Sequence, residues 1–161
     1  MSCIPSIRSA TGADKPGLML LFNDCGLFEP GEVHLVEEMF DGWIAGRLAR
    51  PDHRWFVAGD DAGIAGAGYL AADIMADRVF NLLFLAVHSR ARRGGLGDAL
   101  IAHGEVAARD DAGRLMLIET ASGPETAAAR ALYARRGYAL DGRIIGYYGK
   151  GIDKLIFRRT L

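Results

Sequence analysis

Cysteine is nearly absent: Cys3 and Cys25 form no Cys-x-x-Cys pair, and two cysteines cannot build a disulfide framework, so a reducing compartment is the expected setting. His34, His53, His88 and His103 fall at no metal-ligand spacing, and no metal site is expected. No apolar run reaches the ~18–20 residues that span a bilayer, and residues 1–10 lack the basic stretch and apolar core of a secretory leader. The expectation is a soluble, cytoplasmic protein without a membrane partner. An excess of charge is missing as well: 19 Lys and Arg nearly balance 20 Asp and Glu, which argues against a nucleic-acid partner. Repeats, low-complexity tracts and linkers are also lacking. The 161 residues, half of them apolar, therefore read as one domain, 1–161, large enough to bury a real core.

What the chain does have is local contrast. Acids dominate from Asp24 to Asp61, and bases dominate from Arg130 onward. Such asymmetry suits an anionic ligand on one side and a cationic one on the other, although charge runs are commonly just solvated faces.

Hydrophobic periodicity orders the elements. Ile4–Ser9 reads as a strand, and Thr11 to Asp14 offers capping for a helix to about Asp24 with Pro16 in its first turn. Gly26–Gly31 interrupts, and Glu32–Arg50 reads as an amphipathic helix ended by Pro51. Arg54–Gly59 and Ile64–Ala72 form a hairpin across Asp60-Asp61-Ala62-Gly63. The apolar run Val79–Val87, a helix to about Asp110 and the strand Arg114–Thr120 follow. A helix Glu125–Arg136 is capped by Gly137, and Tyr138–Tyr148 with Lys154–Arg159 closes as a strand pair. A helix between two strands returns the chain in the same direction, so the strands at 79–87 and 114–120 are expected to be parallel neighbours. The expected architecture is α/β: a mixed, mostly antiparallel sheet with a parallel central pair, flanked by helices.

Between strand and helix lies Arg92-Arg93-Gly94-Gly95-Leu96-Gly97. A strand passing through a glycine-rich turn into a helix presents unpaired N–H groups at the helix's positive end, where they can hold a phosphate. Glycine lets backbone approach a pyrophosphate with no Cβ between them. Arg90, Arg92 and Arg93 add charge, and no acid intervenes between Asp77 and Asp98. The spacing is neither that of a nucleotidase loop ending in Gly-Lys-Ser/Thr nor Gly-x-Gly-x-x-Gly. Taken alone, the segment fits a phosphate cradle and a solvated loop equally well.

A second block, Ala129-Arg130-Ala131-Leu132-Tyr133-Ala134-Arg135-Arg136-Gly137-Tyr138, follows after the next strand. Together with Leu85-Ala86-Val87-His88-Ser89 and Arg92-x-x-Gly95-x-Gly97-Asp98, it makes the chain resemble the GNAT superfamily of N-acetyltransferases, which move an acetyl group from acetyl-CoA to an amine. The ending Tyr147-Tyr148-Gly149-Lys150-Gly151 fits the same family. The resemblance implies that Leu85, Ala86 and Val87 pair through their backbones with the pantetheine arm, and that Arg92, Arg93, Gly94, Gly95, Leu96, Gly97 and Asp98 wrap the pyrophosphate. Ala129 would leave room for the arm, and Thr126, where many relatives have Asn, would offer a hydroxyl.

Tyr133 is implied as the acid that protonates the departing thiolate. Read without the family, it is a core aromatic. The Val87 N–H would stabilise the oxyanion. For the base, some relatives carry Glu where this chain has Asn81, which can position a water instead; Glu119 is the other candidate, or simply a charge at a strand end. Cys25 reads as a small buried residue rather than a nucleophile. Glu37 and Glu38 on an early helix, with Tyr147 and Tyr148, would favour a small cationic amine acceptor. Three alternatives stay open beside this reading: another acyl-CoA donor, a protein N-terminus as acceptor, and a non-catalytic acyl-CoA sensor. A homodimer is also left open.

Overall fold

The computed structural model describes residues 4–29, 31–48 and 52–161. β1 (Ile7–Ser9) covers the last half of the strand expected from Ile4, and it pairs antiparallel with β2 (His53–Asp60). Thr11 and Asp14 then form a capping box over a short 3-10 turn, in which the Asp14 carboxylate accepts from the Thr11 N–H at 2.8 Å. Arg8 reaches the same carboxylate with two bonds of 2.7 and 2.8 Å, and this holds the Asp14 carboxyl down to about 2. α1 (Lys15–Asp24) follows with Pro16 in its first turn, where no partner awaits its missing N–H.

α2 (Val33–Ile44) corrects the expected span of Glu32–Arg50. It ends at Ile44 because Gly46 turns left-handed at φ +75°, donating to the Trp43 carbonyl at 3.0 Å while Arg47 donates to Gly42 at 2.9 Å. Arg50 and Pro51, the expected terminus, lie outside the described residues.

The chain divides into two compact units, Met1–Ala71 with Phe84–Gly104 and Ala72–Leu83 with Glu105–Leu161. In the first, β2 and β3 (Gly63–Ala72) make the expected hairpin, its turn fixed by the Asp60 carboxylate accepting from the Ala62 N–H at 2.9 Å. The apolar face of α1 (Leu18, Leu21, Phe22) and of α2 (Val36, Phe40) packs on Trp55 and Tyr69, whose rings stack 4.4 Å apart. Each such side chain contributes about 1.5–3 kcal/mol by leaving water.

β4 (Val79–Val87) begins in the second unit and ends in the first, and α3 (Leu96–Asp110) runs the other way. β5 (Leu115–Ala121), α4 (Ala127–Arg135), β6 (Ala139–Gly149) and β7 (Ile152–Thr160) complete the second unit. β4 and β5 are parallel as expected, with Val79–Leu82 facing Leu115–Ile118. The β5–β7 and β6–β7 pairs are antiparallel, and the hydrogen-bonded strand order is β1-β2-β3-β4-β5-β7-β6. The fold is thus the expected α/β one, a mixed sheet with one parallel pair and flanking helices. α4 ends as its Gly137 foretold: at φ +84° that glycine donates to Ala134, and Tyr138 donates to Tyr133, both at 3.0 Å.

Glu105, 2% exposed, ties this unit together. Its carboxylate accepts from Arg136 at 2.7 Å, from Arg159 at 2.8 Å and from the Tyr138 hydroxyl at 3.1 Å. Burial pushes its carboxyl up, but the hydrogen bond and charge of Arg136, Tyr138 and Arg159 outweigh that and leave it below its ordinary value. A lowered carboxyl stabilises the fold above its unfolded value near 4.5, and that contribution is lost as pH falls through the folded one. Glu105→Gln should therefore cost about 2 kcal/mol at pH 7. The gap in Tm between wild type and variant should close as pH drops below about 4; a gap constant from pH 7 to 3 would show that the carboxylate charge contributes nothing.

Candidate active site

In the first unit, β4 leads into the turn anticipated from sequence. The parallel ladder with β5 ends at Leu82, so Leu85, Ala86 and Val87 lie beyond it. Beyond Val87, a 3-10 turn (Ser89–Ala91) and the residues Arg92–Gly95 bring the chain to α3. Arg93 and Gly95 are left-handed, at φ +64° and +83°. For Gly95 this is cheap, whereas Arg93 stores strain of about 1–3 kcal/mol that its surroundings must hold. α3 opens at Leu96, so the N–H groups at 95–98 belong to its first turn and point from its positive end.

Close packing fixes where that helix starts. A Cβ on Gly66 of β3 would lie 2.9 Å from Leu100, 3.0 Å from Leu96 and 3.2 Å from the Ala86 carbonyl. Only glycine lets β3, the end of β4 and the start of α3 approach so nearly.

The three arginines divide their work. Arg90 binds Asp60 at 2.5 Å and donates to the Gly63 carbonyl at 3.2 Å. Arg92 donates to the Cys25 carbonyl at 2.8 Å and to Val87 at 3.4 Å, so its guanidinium is engaged by the protein's own backbone. Arg93 is exposed and makes no hydrogen bond or ion pair among the described residues. Asp24, at the end of α1, accepts from the Ser89 N–H at 2.7 Å and from the Ser89 hydroxyl at 3.0 Å. No motif in the sequence signals that contact. Cys25 is buried, and burial pushes its thiol up, which suits an inert residue.

In the second unit, Thr126, Ala129 and Tyr133 occupy a 3-10 turn (Pro124–Thr126) and α4. The Thr126 hydroxyl donates to the Ala121 carbonyl at 2.6 Å and accepts from Arg130, so it serves the chain's own turn. Ala129 and Tyr133 are four residues apart and share one helix face. Tyr133 is 5% exposed, packed on Phe157 at 5.4 Å, and its hydroxyl makes no hydrogen bond among the described residues. Burial raises its phenol to about 12.

Asn81 pairs in register with Leu117, and Glu119 lies two residues further along β5, which sets Asn81 and Glu119 on one face of the parallel pair. The Asn81 Oδ1 is buried and accepts no hydrogen bond among the described residues. Glu119 instead forms an ion pair with Lys154 at 2.5 Å, and Lys154 also lies 4.7 Å over the Tyr147 ring. Tyr147 and Tyr148 are exposed and meet edge to face at 4.8 Å. Back in the first unit, Glu37 pairs with Lys15 at 2.9 Å, and Lys15 holds Asp41 as well. Glu38 borders a groove of about 450 Å³ with Leu35, Met39, Gly42, Arg47 and Leu48. Among the described residues, no cluster of three or more His, Cys, Asp or Glu could hold a metal ion, and no helix is long and apolar enough to cross a membrane.

The fold is an α/β one in which β4 passes through a glycine-rich turn into the N-terminus of α3. Residues 51–140 match the family model for the acetyltransferase (GNAT) domain, and the chain belongs to that family. It is a GNAT acetyltransferase. No curated protein matches it. Among solved structures, a GNAT-family protein of Desulfovibrio desulfuricans is 24% identical, with 96% of this chain and 98% of that one covered at a TM-score of 0.86. The ribosomal-protein-alanine N-acetyltransferase of Brucella melitensis is 24% identical (97% and 99% covered, TM-score 0.79). The yncA protein of Salmonella typhimurium, solved with its cofactor acetyl-CoA, is 17% identical (99% and 95% covered, TM-score 0.78). At these identities the likeness speaks for the fold.

Proposed function

We propose that the chain transfers an acetyl group from acetyl-CoA to a primary amine by direct attack in a ternary complex. The observation that carries this reading is the end of β4, where Leu85–Val87 outrun the pairing with β5 and lead into the turn at 92–97. The strand end would pair with the pantetheine amides, and the N–H groups of the turn, with Arg93, would hold the diphosphate. Arg92 supports the turn instead of touching phosphate, since Cys25 engages it. Val87 N–H is the oxyanion donor and Tyr133 the donor to the leaving sulfur. A water held at the Asn81 Oδ1 takes the amine proton; Glu119 is the weaker base candidate because Lys154 holds it.

The Brucella relative is named for a protein-alanine acceptor, which is also an amine. For this chain we favour a small cationic or amino-acid-like amine, with Glu38 attracting it, since Lys15 already answers Glu37. Tyr147 and Tyr148 contribute aromatic surface. Release of free CoA thiol, followed for size-matched cationic and neutral amines, tests the reading. The cationic amine should show the higher kcat/KM, and its advantage should shrink several-fold as salt shortens the screening length from about 30 Å at 0.01 M to about 8 Å at 0.15 M. Equal rates at all salt concentrations would remove Glu38, and no thiol release with any amine would overturn the reading.

A further inference from the structure

We propose that Asp24 is a positioning residue for acetyl-CoA binding: its carboxylate, at the C-terminal end of α1, fixes the start of the 88–97 turn so that the N–H groups beyond it are held ready for the diphosphate. The inference rests on the turn being the acetyl-CoA phosphate site.

The place of Asp24 is unfavourable for the helix that carries it. It is the last residue of α1, no base lies in that helix's last turn, and a carboxylate at the negative end of a helix is disfavoured. The charge is answered from a segment 65 residues away. Ser89 donates both its N–H at 2.7 Å and its hydroxyl at 3.0 Å, and the His88 ring nitrogen Nδ1 lies at 3.1 Å. The Ser89 N–H opens the 3-10 turn Ser89–Ala91, so Asp24 acts as an external cap for it. These contacts, led by the Ser89 N–H, hold the Asp24 carboxyl below its ordinary range, which keeps the cap charged at neutral pH.

A reciprocal tie runs the other way. Arg92 donates to the Cys25 carbonyl, one residue past Asp24, where the end of α1 leaves acceptors without helical partners. The acid of the helix thus holds the turn, and the base of the turn caps the helix. The two ties bracket residues 88–92, immediately before left-handed Arg93 and Gly95. Such backbone persists only where neighbouring contacts over-determine it, and here the ties supply them.

Calorimetry with acetyl-CoA on Asp24→Ala and Asp24→Asn tests the assignment. Asp24→Ala should weaken binding about tenfold, the equivalent of one charge-assisted hydrogen bond, and kcat at saturating acetyl-CoA should stay within about twofold. Asp24→Asn keeps one oxygen for the Ser89 N–H and should recover most of the affinity, at about threefold weaker than wild type. Amide exchange should quicken across 88–97 in both variants. Arg8→Ala, which removes a different ion pair of the same unit, should lower Tm without changing acetyl-CoA affinity. If Asp24→Ala does not fold, Asp24→Asn carries the test. Unchanged affinity in a folded Asp24 variant, or a fall in kcat with affinity intact, overturns the positioning role while wild type still binds. Wild-type protein that binds no acetyl-CoA overturns the phosphate site and this inference together.

Discussion

Gly95→Val is expected to reduce acetyl-CoA affinity by on the order of a hundredfold while leaving a folded protein. Gly95 sits at φ +83°, and a β-branched residue there is strained whatever space surrounds it. Its Cβ would meet only the Ile4 side chain at 3.3 Å, so the fold as a whole is not obstructed. The strain, about 1–3 kcal/mol, is relieved by rotating the turn, and rotation misdirects the N–H groups at the opening of α3. Losing one or two charge-assisted bonds to a diphosphate accounts for the affinity change. Calorimetry on Gly95→Val, with Tm as a check on folding, reads it directly; near wild-type affinity would remove the turn from the site.

Tyr133→Phe should lower kcat by ~10²–10⁴-fold with little change in acetyl-CoA affinity, because the ring packing against Phe157 is kept and only the hydroxyl goes. A phenol raised to about 12 cannot fully protonate a free thiolate of ~8.5 without an uphill step of roughly 5 kcal/mol. Under the proposed reading its contribution is a hydrogen bond to sulfur that strengthens as the C–S bond breaks, with solvent completing the protonation. The pH profile follows with a definite sign. Neutral phenol is the competent form and persists until about 12, so kcat/KM should rise with pH as the amine loses its proton, with no falling limb from Tyr133 below about pH 11. A falling limb near pH 10 that disappears in Tyr133→Phe would place the phenol at its ordinary value and contradict the burial argument.

The sequence carries the elements whose signals are local. The run Val79–Val87 forms β4 with the anticipated bounds, Gly137 ends α4, and Asp60-Asp61-Ala62-Gly63 makes its turn. At α2, Pro51 is the stop the sequence offers, yet Gly46 acts first because a left-handed glycine closes the helix wherever the next amides can reach back. What sequence does not display is which polar groups have already found partners. Arg92 already donates to the Cys25 carbonyl and the Thr126 hydroxyl to that of Ala121, contacts that no spacing in the sequence announces. Glu119 and Lys154 meet only through the β5–β7 register. Asn81 becomes more informative for the opposite reason, since its buried oxygen has no donor among the described residues.

The central claim is direct transfer from acetyl-CoA to an amine, and rapid mixing of enzyme with excess acetyl-CoA, with and without amine, tests it most directly. The account predicts no burst of free thiol without amine, and with amine a steady release matched mole for mole by acetylated product. A burst equal to the enzyme concentration in the absence of amine would mean that an acyl-enzyme forms first, and direct attack would be contradicted.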